Sequence, residues 1–211
     1  RALHLRGMRE HSAKLAVPRM PAAGLESVFG DSSSAAVTGF VNHVTGLLDA
    51  EQSTAWLGHD GERLYVAHRW PIPERVLQNP DNYSFGAFRA EAKARDGALL
   101  VNDDLVGLEL KLGDGSTRTI VTNRQGHMGD WRDGGEAPED WAWDADVEAQ
   151  SRIEDGAWVC EMSVPLSDLG ITPGDTVGLR IVRDHALLRD DLCAWPSADP
   201  GVFAEATIST E

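Results

Sequence analysis

The sequence predicts an all-β protein, an antiparallel β-sandwich, and three observations carry that expectation. Apolar and polar residues alternate strictly over many short segments, as half-buried strands require. Small polar turn clusters such as "HDG" and "DGS" separate those segments. Helix-like spacing is confined to the stretches near 42–50 and 86–95. With 211 residues and 42% hydrophobic content, the chain suits one domain with a complete core.

Residues 1–24 carry five basic residues and one acid, the reverse of the acidic balance in the rest of the chain, and contain Pro18 and Pro21. They are expected to be a lead-in or linker, with the sandwich spanning 25–211. In "ERLYVAHRW" (62–70) Leu64 and Val66 share a face. In "LVGLELKL" (105–112) Val106, Leu108, Leu110 and Leu112 point one way while Glu109 and Lys111 point the other. The turn "DGS" (114–116) leads into "TRTIVTN" (117–123) as a hairpin. "WVCEMSV" (158–164) sets Trp158, Cys160, Met162 and Val164 inside and Glu161 and Ser163 outside; "TVGLRIV" (176–182) sets Val177, Leu179 and Ile181 inside; "FAEATIS" (203–209) supplies a last strand. "SVPLSDLG" (163–170) is architectural: Pro165 ends a strand, Ser167 and Asp168 cap a short turn, and Gly170 permits the reversal.

Nineteen basic against 34 acidic residues give a formal charge of −15. Such a surface repels nucleic acid and anionic lipid. No apolar run approaches the roughly 20 residues that cross a bilayer, so membrane insertion is not expected. Because the first residue is Arg1, the chain is expected to be a piece of a longer polypeptide. Cys160 and Cys193 match no CxxC or zinc pattern and read as buried thiols, with a disulfide as the alternative. Hydrolase, metalloprotease, nucleotide-binding and dinucleotide-binding signatures are all missing, and with 34 acids a carboxylate pair by itself decides nothing. No catalytic residue is assigned.

The stretches "TGFVNHVTG", "TAWLGHDGERLYVAHRW", "VNDDLVGLELKL", "TIVTNRQGHMGDWR", "GAWVCEMSVPLSDLG", "VGLRIVRD" and "FAEATI" stand in the order seen in carbohydrate-binding module family 9, which this chain resembles over most of 38–208. The resemblance implies a jelly-roll or immunoglobulin-like sandwich with long loops and little helix. It also implies sugar binding between two aromatic side chains, structural calcium, attachment to polysaccharide-processing enzymes, and a secreted or periplasmic location. Most of the family's sugar-binding positions differ here. Its first clamp tryptophan falls at Val101, its acidic residue at Gly107, its arginine at Val121 and its glutamine at Ile181, while Asn123 is kept. Trp195 matches either the second clamp tryptophan or a structural aromatic.

The stretch "GDWRDGGEAPEDWAWD" (129–144) holds three tryptophans and six carboxylates. Trp131, beside Asp130 and Arg132, is the ligand candidate, since flat rings stack on the apolar face of a pyranose. Trp141 and Trp143 share a face and begin the strand toward "VEAQS", and all three rings could equally pin the loop to the sandwich. The expected carbohydrate site is therefore Trp131 and Trp195 as platforms, with Asn123 and Arg183 as hydrogen-bonding groups. Asp103, Asp104, Asp130 and Asp184 are the candidate calcium ligands. His127 and Met128 in "GHMG" offer a weaker haem pair. The expected function is a non-catalytic module that binds oligo- or polysaccharide within a larger chain. The alternative is a scaffold whose sugar site has decayed and which packs on neighbouring domains.

Overall fold

The computed structural model describes residues 13–21, 24–25, 28–29, 31–49, 52–72, 95–96, 103–133, 142–184 and 192–211. Its strands are β1 (Lys14–Val17), β2 (Ala35–Val37), β3 (Val41–Asn42), β4 (Thr54–His59), β5 (Arg63–Pro71), β6 (Leu105–Lys111), β7 (Thr117–Asn123), β8 (Met128–Asp133), β9 (Glu148–Glu154), β10 (Ala157–Pro165), β11 (Thr176–Asp184), β12 (Cys193–Trp195) and β13 (Ala204–Ile208). Among the described residues they form two sheets. One runs β1-β13-β11-β6-β7-β8, with β12 on β11 and β3 on β12; the other runs β2-β4-β5-β10-β9. Every pairing is antiparallel except β1 with β13.

The period-2 pattern explains the core. Leu64, Val66, Val106, Leu108, Leu110, Trp158, Cys160, Met162, Val164, Val177, Leu179 and Ile181 all lie in the one apolar cluster between the sheets. Each such side chain stabilises the fold by about 1.5–3 kcal/mol relative to exposure. Trp70 and Trp158 stack there at 5.6 Å between centroids, and Trp158 Nε1 donates to Ser151 Oγ at 2.6 Å. Cys160 and Cys193 are both free and buried. Burial pushes the Cys160 thiol far up, out of reach of thiolate chemistry.

Several sequence expectations change. Residues 14–20 belong to the sandwich rather than to a lead-in: β1 pairs with β13, Met20 N donates to His59 O at 2.7 Å, and Met20 packs with Val28, Tyr65 and Ala67 outside the second sheet. That cover also means the outward row of β10 is not solvated. Glu161 faces out yet is fully buried, held by Arg152 and by Gln150 Nε2 at 2.8 Å. Residues 42–49 form a turn instead of a helix, because Asn42 Oδ1 accepts the Val44 and Thr45 amides at 3.0 and 3.1 Å and Gly46 takes φ +64°. Residues 142–147 precede β9 without joining a sheet. The other helix-like stretch, up to residue 94, and Trp141 lie outside the described residues. At the end of β10, a helical turn at Leu166–Leu169 closes on Gly170 at φ +72°. Asp168 accepts the Asp146 amide at 2.9 Å rather than capping that turn.

Candidate functional site

The outward face of the eight-stranded sheet divides into two ends, and register places each residue. One cross-strand row reads Arg180, Glu109, Thr119, Trp131 over β11, β6, β7 and β8; the next reads Gly178, Lys111, Thr117, Asp133. Glu109, Lys111, Thr117, Thr119, Trp131 and Asp133 floor an open groove of about 640 Å³, which Pro200, Gly201 and Phe203 wall on the far side. The row on the opposite side reads Val182, Gly107, Val121, Gly129. Here Val121 and Val182 are only 4% and 7% exposed and pack with Ala194, Leu105 and Trp131. Trp131 thus borders both ends, with one side on this apolar patch and another on the groove.

Two local arrangements set the groove's walls. Phe203 rests on the sheet because Gly178 has no side chain: a Cβ there would lie 3.0 Å from the Phe203 Cβ and 3.0 Å from the Lys111 Cβ. Arg180 is almost fully buried. It donates to Glu109 Oε2 at 2.6 Å and, through Nε and Nη2, to the carbonyls of Ser197 and Ala198 at 3.4 and 3.2 Å. One guanidinium therefore neutralises a carboxylate of the groove floor and ties down the segment leading to Pro200. Lys111 is exposed, with Nζ 5.8 Å from the Phe203 centroid.

The sequence-predicted sugar residues do not come together. Trp131 lies in the groove, half-buried. Trp195 pairs with Ile181 and packs against the core between the sheets, on the other side of its sheet from Trp131. Asn123 is fully buried, donating to Asp103 Oδ2 at 2.8 Å and accepting the Gln125 and His127 amides at 2.9 and 3.0 Å. It closes the β7–β8 turn and offers nothing outward. Arg183 follows Leu179 and Ile181 on the inner row. It is buried against the Trp70 ring at 4.4 Å and donates to Asp49, to Ser53 Oγ at 2.9 Å and to Cys193 Sγ at 3.2 Å. By the same parity Ile181, where the family's glutamine was expected, faces the core, and its outward neighbour is Val182. Trp143 folds back on the core, with Arg118 5.6 Å from its ring.

The calcium ligands fare similarly. Asp130 is buried, accepts Arg95 Nη2 at 2.7 Å and the Ala145 amide at 2.8 Å, and so already has a cation beside it. Burial raises its pKa, with those two donors opposing the shift. Asp103 holds Asn123, Asp104 is buried next to it, and Asp184 ends β11 half-buried. Among the described residues no group of three or more His, Cys, Asp or Glu side chains could hold a metal ion. These aspartates do not fit a calcium site that needs six to eight oxygens. For haem, His127 and Met128 are adjacent at a strand end, where neighbours face opposite ways; Met128 packs against the core, so the pair cannot ligate one iron together.

The groove residues that sequence reasoning missed are Glu109, Lys111, Thr117, Thr119 and Phe203. Glu109 and Lys111 were read as outward on their own strand, and nothing local showed which strands lie beside it. The comparisons agree with this architecture. No protein-family model matches the chain, and no curated relative matches it either. Among solved structures it is similar to a proposed carbohydrate-binding protein from Bacteroides uniformis ATCC 8492, at 12% identity and TM-score 0.71, covering 94% of this chain and 100% of that one. It is also similar to a carbohydrate-binding module of family 9 from Caldicellulosiruptor kristjanssonii. In complex with cellotriose that module matches at 12% identity and TM-score 0.59, covering 94% of each chain. In complex with glucose the values are 12% and 0.58, covering 94% of this chain and 96% of that one. The chain has the fold of these modules. At such identity the likeness is one of architecture, so the site has to be argued from this chain's own residues.

Proposed function

We propose that the chain is a non-catalytic carbohydrate-binding domain whose sugar site is the groove over β8, β7, β6 and β11. The observation that carries this reading is the pairing of two aromatic side chains, Trp131 and Phe203, with a floor of hydroxyl, carboxylate and ammonium groups. A pyranose presents an apolar C–H face for stacking and hydroxyls for polar groups, and this surface supplies partners for both. The fold shared with a sugar-bound module supports it. In this reading the domain is an accessory part of a larger secreted or periplasmic polysaccharide-processing protein. Among the described residues the candidate aspartates do not converge on one site, and the groove is read as binding sugar through its own side chains. A scaffold role against a neighbouring domain has one observation in its favour: Val44, Leu47 and Leu48 are 57%, 67% and 66% exposed on the turn after β3.

The test is calorimetric titration of the domain against a panel of soluble glycans, with pull-down on insoluble ones, in calcium and then in a chelator. Binding is expected to fall at least tenfold in Trp131→Ala with the melting transition retained, and to be unchanged by chelation. Silence of the folded protein across the panel removes the sugar reading and leaves the scaffold role.

A further inference from the structure

The strand register decides how a ligand lies in the groove. Trp131 stands on β8, Phe203 leans on Gly178 of β11, and β7 and β6 run between them. Three strand intervals of roughly 4.8 Å separate β8 from β11 by about 14 Å. Two rings that sandwich one pyranose would have to stand about 7–8 Å apart, twice an ordinary contact distance of 3.5–4.0 Å. The strand that carries Trp131 and the strand that seats Phe203 lie about twice that far apart. Their spacing is that of about three linked pyranoses laid end to end at roughly 5 Å each, from ordinary bond lengths.

The neighbouring end of the face sets the second constraint. A chain terminus that turned toward Gly107 would meet Val121 and Val182, which are already packed under Trp131 and Ala194. Thr119, Glu109 and Lys111, by contrast, present polar groups in the groove between β8 and β11.

Resting on the carbohydrate reading, we infer that the groove binds an internal stretch of an extended glycan. The chain lies across the strands, with Trp131 and Phe203 as separate platforms for non-adjacent sugars and the Glu109–Lys111–Thr119 floor addressing the sugars between them. The chain ends contribute nothing.

The experiment is titration with cello-, xylo- and manno-oligosaccharides of one to six units, each with a free and with a borohydride-reduced terminus. Affinity in the ladder that binds is expected to rise at least tenfold from disaccharide to tetrasaccharide, and to be the same after reduction of the longer members. Trp131→Ala and Phe203→Ala should each cost the tetrasaccharide about tenfold or more, while Phe203→Tyr restores binding and so separates a platform from mere packing. A monosaccharide that binds as tightly as the tetrasaccharide, or affinity lost on reduction, overturns this inference and leaves the sugar reading standing. No binding in any ladder or on any panel glycan overturns both.

Discussion

The two ends of one sheet face were built by the same strands and came out opposite. Toward Glu109, Lys111, Thr117 and Thr119 the face is open and polar; toward Leu105, Gly107, Val121, Val182 and Ala194 it is apolar and closed. Of the positions where the resemblance expects sugar-binding side chains, Gly107 and Val121 lie at the closed end, while Ile181 faces the core. The difference teaches that one set of strands can present an open polar surface and a closed apolar one, according to the side chains each cross-strand row carries. Replacing polar side chains by glycine and valine lets a half-buried tryptophan settle onto one end, and the same ring then edges a groove at the other.

The sharpest way to break this comparison is to restore a side chain at the closed end. A Cβ at Gly107 would lie 2.2 Å from the Ile120 carbonyl oxygen and 2.9 Å from the Val121 Cα, and backbone cannot move aside as a side-chain tip can. Gly107→Ala is expected to cost at least about 3 kcal/mol, the upper range of overpacking, and Gly107→Glu to prevent folding. Urea denaturation measures the first; a stable Gly107→Glu protein would show that the closed end can be reopened. Next in size is Arg180→Met, which strands Glu109 and frees the Ser197 and Ala198 carbonyls. Because Glu109 is partly exposed, about 2 kcal/mol is expected rather than the full cost of breaking a buried pair. Glycan affinity should fall with it, read by the same titration, since the groove wall loses its tie.

Much of the fold was legible because burial writes a period of two into each strand. The inner rows of β6, β10 and β11 could be read directly from Val106–Leu110, Trp158–Val164 and Val177–Ile181. The same rule, applied to Arg183 two residues past Ile181, places it inside, against the general tendency of a charged side chain to face solvent. β1 was missed because "KLAV" is a short edge strand whose partner is β13, at the opposite end of the sequence. The site was legible only in Trp131. Its floor is a row across four strands, and the order β11-β6-β7-β8 is a property of long-range pairing that no single segment reveals. Phe203 opens a strand segment in which its outward direction could be read, but what lies under it, Gly178, comes from a different strand.

Acid sharpens the comparison from beneath. His68 is buried beside the Gly107 backbone and Arg183, and burial pushes its pKa down to about 3; His59 is lowered for the same reason. A depressed histidine binds fewer protons folded than unfolded, so stability is present above the unfolded value near 6.5 and is lost as pH falls toward 3. The expected slope for His68 is at most about 1.4 kcal/mol per pH unit within that window. Urea midpoints at pH 7, 6 and 5 check it, and the slope should shrink in His68→Leu. Asp130, whose pKa is raised, acts in the opposite direction only in the carboxylate range.

The smallest effect on stability is expected at Gly178, and it separates the two ends most cleanly. The Cβ of Gly178→Ala would meet the Lys111 and Phe203 Cβ atoms at 3.0 Å each, and both are side-chain atoms of residues at the rim of an open groove. Cβ atoms move only with their backbones, but each overlap is a few tenths of an ångström, so the cost in folding should be about 1 kcal/mol, the low end of overpacking. Lifting Phe203 off the sheet alters the platform itself. Tetrasaccharide affinity should therefore drop several-fold while the melting transition moves little, and disaccharide affinity at Trp131 should be spared. An unchanged tetrasaccharide affinity would mean that Phe203 is a wall and not a platform, and that the ligand makes its contacts nearer to Trp131.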